Sequence, residues 1–161
     1  MIFVIFCLFC FEDIGANLQQ RIMFELVYSS QVPKCPKRER MTSLNNHSIK
    51  YNEKHGISGS LVFYKRKFVG ILEGEENNVK RLYQKIKKDS MHTKVSVLAK
   101  GFVWERQFTQ WNMMYYLPKS NTSSHLEENF FSSNILNLVL LVDKKTYASQ
   151  IFWGSVRDMF S

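Results

Sequence analysis

With 161 residues, 45% of them hydrophobic and 22% charged, the chain can build one core and is too short for two full domains. No apolar run approaches the ~20 residues that cross a bilayer, and the balance excludes a disordered or collagen-like chain. The net charge of +8 is spread over Lys34 to Arg40, Lys65 to Lys67 and Lys80 to Lys88, which reads as solvated faces rather than a nucleic-acid footprint.

Met1 to Phe11 is nearly all apolar. It resembles the centre of a signal peptide, yet no basic residues precede it and no clear small-residue cleavage site follows. We read residues 1–22 as an extension ahead of a domain at 23–118, with a linker and C-terminal helical segment at 119–161. Cys7, Cys10 and Cys35 cannot pair evenly and lack zinc-finger spacing, which points to a reducing, cytoplasmic setting and to no metal.

Phe24, Leu26 and Tyr28 alternate with Glu25, Val27 and Ser29, the period of a strand, which Ser29, Ser30 and Pro33 end. Lys37 to Lys54 contains no Gly or Pro and predicts a helix closed by Gly56. Met41, Leu44, Asn45, Ser48, Tyr51 and Asn52 share one face of it, and half are polar where a core-packing helix is apolar. Such a face suits a polar ligand. Ile57 to Tyr64 and Phe68 to Glu73 predict a hairpin joined by the basic turn Lys65, Arg66 and Lys67. Glu75 and Glu76 open a second helix, at 75–90, whose stripe is Val79, Leu82, Tyr83 and Ile86, with Lys85, Lys87 and Lys88 near its negative dipole end.

Lys94 to Lys100 and Trp111 to Leu117 read as two further strands separated by the connection Phe102 to Phe108, and Leu126 to Phe160 as two helices. The order predicts an α+β fold. It is a ferredoxin-like β-α-β-β-α-β-β sheet, with two helices on one face and the C-terminal helical segment on the other.

Over about Phe24 to Tyr116 the sequence resembles the BLUF family, blue-light sensors that use FAD. The resemblance rests on Leu-Val-Tyr-Ser-Ser at 26–30, Gly-Ile-Ser-Gly at 56–59 followed by Leu61, and Leu-Glu-Gly at 72–74. Asp89 with His92, and Arg106, Phe108, Trp111 and Met113, complete it. It implies a flavin held between the two helices, FAD with FMN as the alternative. Tyr28, Leu44, Asn45, Ser48, Tyr51, Asn52, Gly70, Leu72, Lys85, Asp89, His92 and Met113 would surround it, and Tyr28, Trp111 and Met113 would take part in photochemistry and signalling.

One departure is central. Where the family carries a glutamine between the tyrosine and the flavin this chain has Gly70, which has no side-chain amide to change its hydrogen bonds. Tyr51, water or the flavin could fill the space. Tyr51 also stands where a smaller polar residue or His is usual, Asn45 replaces an aliphatic, and Lys85 replaces an Arg, keeping the charge without the bidentate fork. The implied protein is a flavin-binding blue-light photoreceptor-like signalling protein with an impaired photocycle. The alternative is a degenerate BLUF-fold interaction module without photochemistry.

No Ser-His-Asp signature, nucleophile elbow or P-loop is present, so an enzyme is not expected. Nucleic acid is not expected either, because Lys67 to Leu72 lacks the aromatic alternation of an RNA-stacking platform. Output is expected through a separate protein partner, whose identity is not legible, with homo-oligomer formation through Leu126 to Phe160.

Overall fold

Alternation at period two sends Phe24, Leu26 and Tyr28 to one side of β1 (Met23–Gln31) and Val27 to the other, and this division organises two cores. The computed structural model describes residues 22–118 and 124–161. The apolar Met1 to Phe11 segment and most of the expected linker lie outside the described residues.

After β1 come α1 (Arg38–Lys54), the hairpin β2 (Ser58–Tyr64) and β3 (Lys67–Gly74), and α2 (Glu76–Lys88). Next are β4 (Thr93–Val103), β5 (Trp111–Tyr115), α3 (Ser124–Leu141) and α4 (Tyr147–Arg157). The sheet has five strands in the order β4-β1-β3-β2-β5; its first four pair antiparallel and β5 lies parallel to β2. This is the expected α+β ferredoxin-like sheet with one strand added.

The hairpin turn is tighter than expected. Lys67 pairs with Tyr64 and belongs to β3, leaving Lys65 and Arg66 at φ 43° and 66°. Such two-residue turns favour Asn-Gly, since both residues need positive φ. Arg66 offsets that cost: its carbonyl accepts from Val32 N–H at 2.9 Å, and its Nε donates to Val32 O at 3.1 Å.

β4 also runs beyond the expected Lys100. Gly101, Phe102 and Val103 pair with Glu25, Phe24 and Met23, so what reads locally as a connection is claimed by the free edge of β1. β5 in turn stops at Tyr115, short of the expected Leu117.

Phe24, Leu26, Phe63, Phe68 and Leu72 meet Met41, Val79 and Tyr83 of α1 and α2 on one face. Val27, Val62, Val69 and Ile71 meet Ile135 and Val139 of α3 and Ala148, Phe152 and Val156 of α4 on the other. Helices therefore pack on both faces of the sheet, while β4 at its edge stays largely exposed. Thr146 starts α4 with a reciprocal capping box, its Oγ1 accepting from Ser149 N–H at 3.0 Å while Ser149 Oγ accepts from Thr146 N–H at 3.1 Å.

The second core makes a direct prediction. Phe152→Ala, at a position with 0% exposure, should cost about 3–5 kcal/mol in urea unfolding. Tyr147→Ala, one turn earlier on the exposed side, should stay within about 0.5 kcal/mol of the parent.

Candidate functional site

The half-polar inward face of α1 cannot seal against an apolar sheet. Only Met41 and Asn52 of that helix are buried, while Leu44, Ser48 and Tyr51 stay half-buried. What remains between α1 and α2 is a cleft of about 140 Å³, floored by Tyr28, Leu61, Leu72 and Trp111. One water needs about 10–15 Å³ on this measure, so the cleft suits a larger guest.

Asn52 sits where α1 ends. Its carbonyl accepts from Ile57 N–H at 2.8 Å, and Gly56, at φ 60°, turns the chain toward β2 in a conformation that suits glycine. The backbone is thus fixed, but the side-chain Oδ1 is buried in the cleft wall with no hydrogen-bond partner among the described residues. Trp111 Nε1, across the same cleft, is also buried and has no partner among the described residues. An orphaned acceptor and an orphaned donor around one cleft each cost about 1–3 kcal/mol unless a ligand satisfies them.

Tyr28 is 1% exposed. It lies opposite Gly70 in the β1/β3 ladder, and its ring occupies the volume that a side chain at position 70 would need. A Cβ built on Gly70 would stand 2.6 Å from Tyr28 Cε1 and 3.0 Å from its hydroxyl oxygen. Neither Tyr51, water nor flavin is needed to fill the space; the tyrosine fills it. Burial, and secondarily Tyr83 nearby, push the Tyr28 phenol above its ordinary range, so it stays neutral.

Tyr51 lies at the rim. Its ring stacks on His55 with centroids 4.0 Å apart, and Lys85 Nζ of α2 sits 4.2 Å from its centroid. This cation–π contact joins the two helices over the cleft. At the other end His92 is buried with Nδ1 2.8 Å from Ser30 Oγ. Desolvation holds the imidazole below its ordinary value despite Asp89, whose side chain accepts from Met91 N–H at 2.8 Å.

Of the residues singled out from the sequence, Tyr28, Leu44, Ser48, Tyr51, Asn52, Leu72, Lys85, Asp89, His92 and Trp111 line the cleft. Asn45, Gly70 and Met113 lie outside its lining. Asn45 carries a further buried amide oxygen without a partner among the described residues, and Met113 packs against the helix-side core. Sequence reasoning missed His47, absorbed Leu82 and Ile86 into a helical stripe and used Leu61 only as part of a family motif, although all four line the cleft. The available signal for His47 was its four-residue spacing from Tyr51, on which it stacks at 6.4 Å.

Comparison with known proteins converges on this region. A family model described as "BLUF: Sensors of blue-light using FAD" matches residues 23–114. The photoactivated adenylate cyclase subunit alpha of Euglena gracilis is 28% identical over 101 residues, which are 63% of this chain and 10% of that protein. This chain thus corresponds to a small part of that relative. A structure of BlrP1 from Klebsiella pneumoniae with FMN and cyclic diGMP matches at 29% identity and TM-score 0.53, over 67% of this chain and 29% of that one. A structure of BlsA in a photo-activated state matches at 25% identity and TM-score 0.57, over 84% and 94% of the two chains.

The crowding of Tyr28 on Gly70 sets the next prediction. Gly70→Ala should destabilise the protein by about 1–3 kcal/mol in denaturant titration, because the ring must move for the methyl to fit. In a Tyr28→Ala background the same substitution should cost less than about 0.5 kcal/mol, the non-additivity that direct contact produces.

Proposed function

The chain belongs to the BLUF family, sensors of blue-light using FAD, and we propose that its α1–α2 cleft holds FAD as the light-absorbing group of a signalling protein with an altered photocycle. The observation that carries this is the buried, partnerless Asn52 Oδ1 in the wall of a cleft that already has an aromatic and aliphatic floor. A flavin has a flat apolar body and a polar edge with N–H and carbonyl groups, which matches that wall. When bound it supplies visible absorption and an electron acceptor.

Asn52 and Trp111 would satisfy its polar edge, and Lys85 would leave Tyr51 to meet a carbonyl or phosphate. Tyr28 keeps its proton at the hydroxyl until light, and is the buried phenol able to release an electron and that proton. The family's light response depends on a glutamine amide between the tyrosine and the flavin. Here position 70 is Gly, which has no amide to switch, and the Tyr28 ring fills the space beside it.

A sensor module is not catalytic by itself, and output would pass to a partner protein or a second copy. The exposed Leu126, Phe130, Leu140 and Leu141 of α3 support such a contact. No helix among the described residues is long and apolar enough to cross a membrane. We place the protein in the cytoplasm because its cysteine usage favours a reducing compartment.

Purified protein should be yellow, with FAD released on denaturation, and Asn52→Ala should weaken flavin retention in equilibrium dialysis by about 1–3 kcal/mol. Colourless protein that also refuses added FAD and FMN would favour the interaction-module reading.

The light-minus-dark spectrum should show bleaching of the flavin bands without the family's red shift, and Tyr28→Phe should slow that bleaching. A reversible red shift in the unaltered protein would overturn the altered photocycle while leaving flavin binding intact.

A further inference from the structure

On the sheet face away from the cleft, Glu25 of β1 stands directly opposite Glu73 of β3 in the ladder. Both are enclosed, at 1% and 0% exposure. Two carboxyl groups side by side without water cannot both carry a full charge at small cost. Their partners differ. Glu73 accepts from Gln107 N–H at 2.9 Å, Phe108 N–H at 3.0 Å and Ser58 Oγ–H at 3.2 Å. Glu25 accepts from Thr146 Oγ1–H at 3.1 Å, and with Glu73 facing it across the ladder in a buried setting, one proton held by the pair removes the repulsion of two full charges.

The segments that meet at this pair are the ones that close the second face. Gln107 and Phe108 belong to the β4–β5 connection, and Phe108 packs edge-on to Phe152 of α4 with centroids 6.0 Å apart. Thr146 is the cap of α4. We propose that Glu25 and Glu73 form a one-proton lock beneath the C-terminal helices, so that undocking α4 releases a proton and rising pH loosens its seat. The inference concerns the opposite face from the flavin cleft and does not depend on that cleft's occupant.

The charged groups around the pair do not replace the proton. Arg106, in the β4–β5 connection, directs its guanidinium to Ser58 Oγ, Glu73 O and Gly56 O. On the α3–α4 side, Lys144 Nζ is held by the carbonyls of Val139 and Val142, and Lys145 pairs with Asp143. β4 offers only Gly101 opposite Glu25, and Arg157 pairs with Asp158 after a further ten residues of α4. Burial, above all, raises Glu25 from its ordinary 4.5 to about 7; the Thr146 hydrogen bond lowers it in part, and Glu73 raises it. The sign follows: stability from this group is full below 4.5 and is lost as pH rises through about 7.

Hydrogen–deuterium exchange of the full chain, corrected for intrinsic rates, reads the docking of α4 through the amides of 147–157. Ionisation linked over this window should raise opening about tenfold between pH 6 and pH 8.5. Glu25→Gln keeps the shape and donates to Glu73 without titrating, so it should flatten that rise to less than about twofold. Equal opening at the two pH values in the parent protein, or the same rise in Glu25→Gln, would overturn the proposal. Should Glu25→Gln fail to fold, infrared titration of the parent decides. A carboxylic-acid carbonyl band that persists at pH 6 and vanishes by pH 8.5 supports the lock, and no such band at pH 6 refutes it.

Discussion

The register of β1 on β3 is the constraint on which the rest of the molecule depends. A slip of one residue would exchange the two faces of the strand and turn Tyr28 away from the cleft. As paired, one ladder places Tyr28 against Gly70 beneath α1 and α2, and Glu25 against Glu73 beneath α4. The same alternation supplies Leu26 and Leu72 to one core and Val27 and Ile71 to the other. The cleft floor and the carboxyl pair therefore lie on two faces of a single strand pair.

The helices differ in how completely they close on that pair. α2 presents Val79 and Tyr83 and seals its part of the sheet; α1 presents Ser48 and Asn52 on its inward side and does not. Polar groups on an inward face weaken packing unless something bonds to them. The cleft is thus the consequence of an ordinary sheet covered by one ordinary amphipathic helix and one that lacks enough apolar side chains. Lys85 over Tyr51 bridges the helices without filling the gap between them.

The glycine at position 70 changes local packing as well as chemistry. Without a side chain there, the phenol of Tyr28 takes up space beside the neighbouring strand that a larger residue would contest. The family resemblance names the tyrosine and the missing amide separately. In the fold the Tyr28 ring occupies the space that a side chain at position 70 would need. The β4–β5 connection is likewise more than a loop: Arg106 ties it to Gly56 at the end of α1, and Glu73 ties it to β3. Among the described residues it is bonded both to the segment that presents Asn52 and to the carboxyl pair.

Short-range patterns in the sequence determined the order of elements, the two faces of β1 and the mixed character of α1, because each depends on spacings of two to four residues. They also determined most of the cleft wall, including Tyr28, Asn52 and Lys85, through the family resemblance. The end of β4 was not legible, since Gly101 to Val103 are extended only because Met23 to Glu25 lie beside them. Nor were the contact of Lys85 with Tyr51, the filling of the Gly70 space by Tyr28, and the meeting of Glu25 with Glu73. In sequence Glu25 is one of the residues alternating with Phe24, Leu26 and Tyr28, and nothing there marks it as enclosed. Only the tertiary structure decided otherwise, because burial is set by what packs on a strand from more than a hundred residues away, and no local periodicity records that.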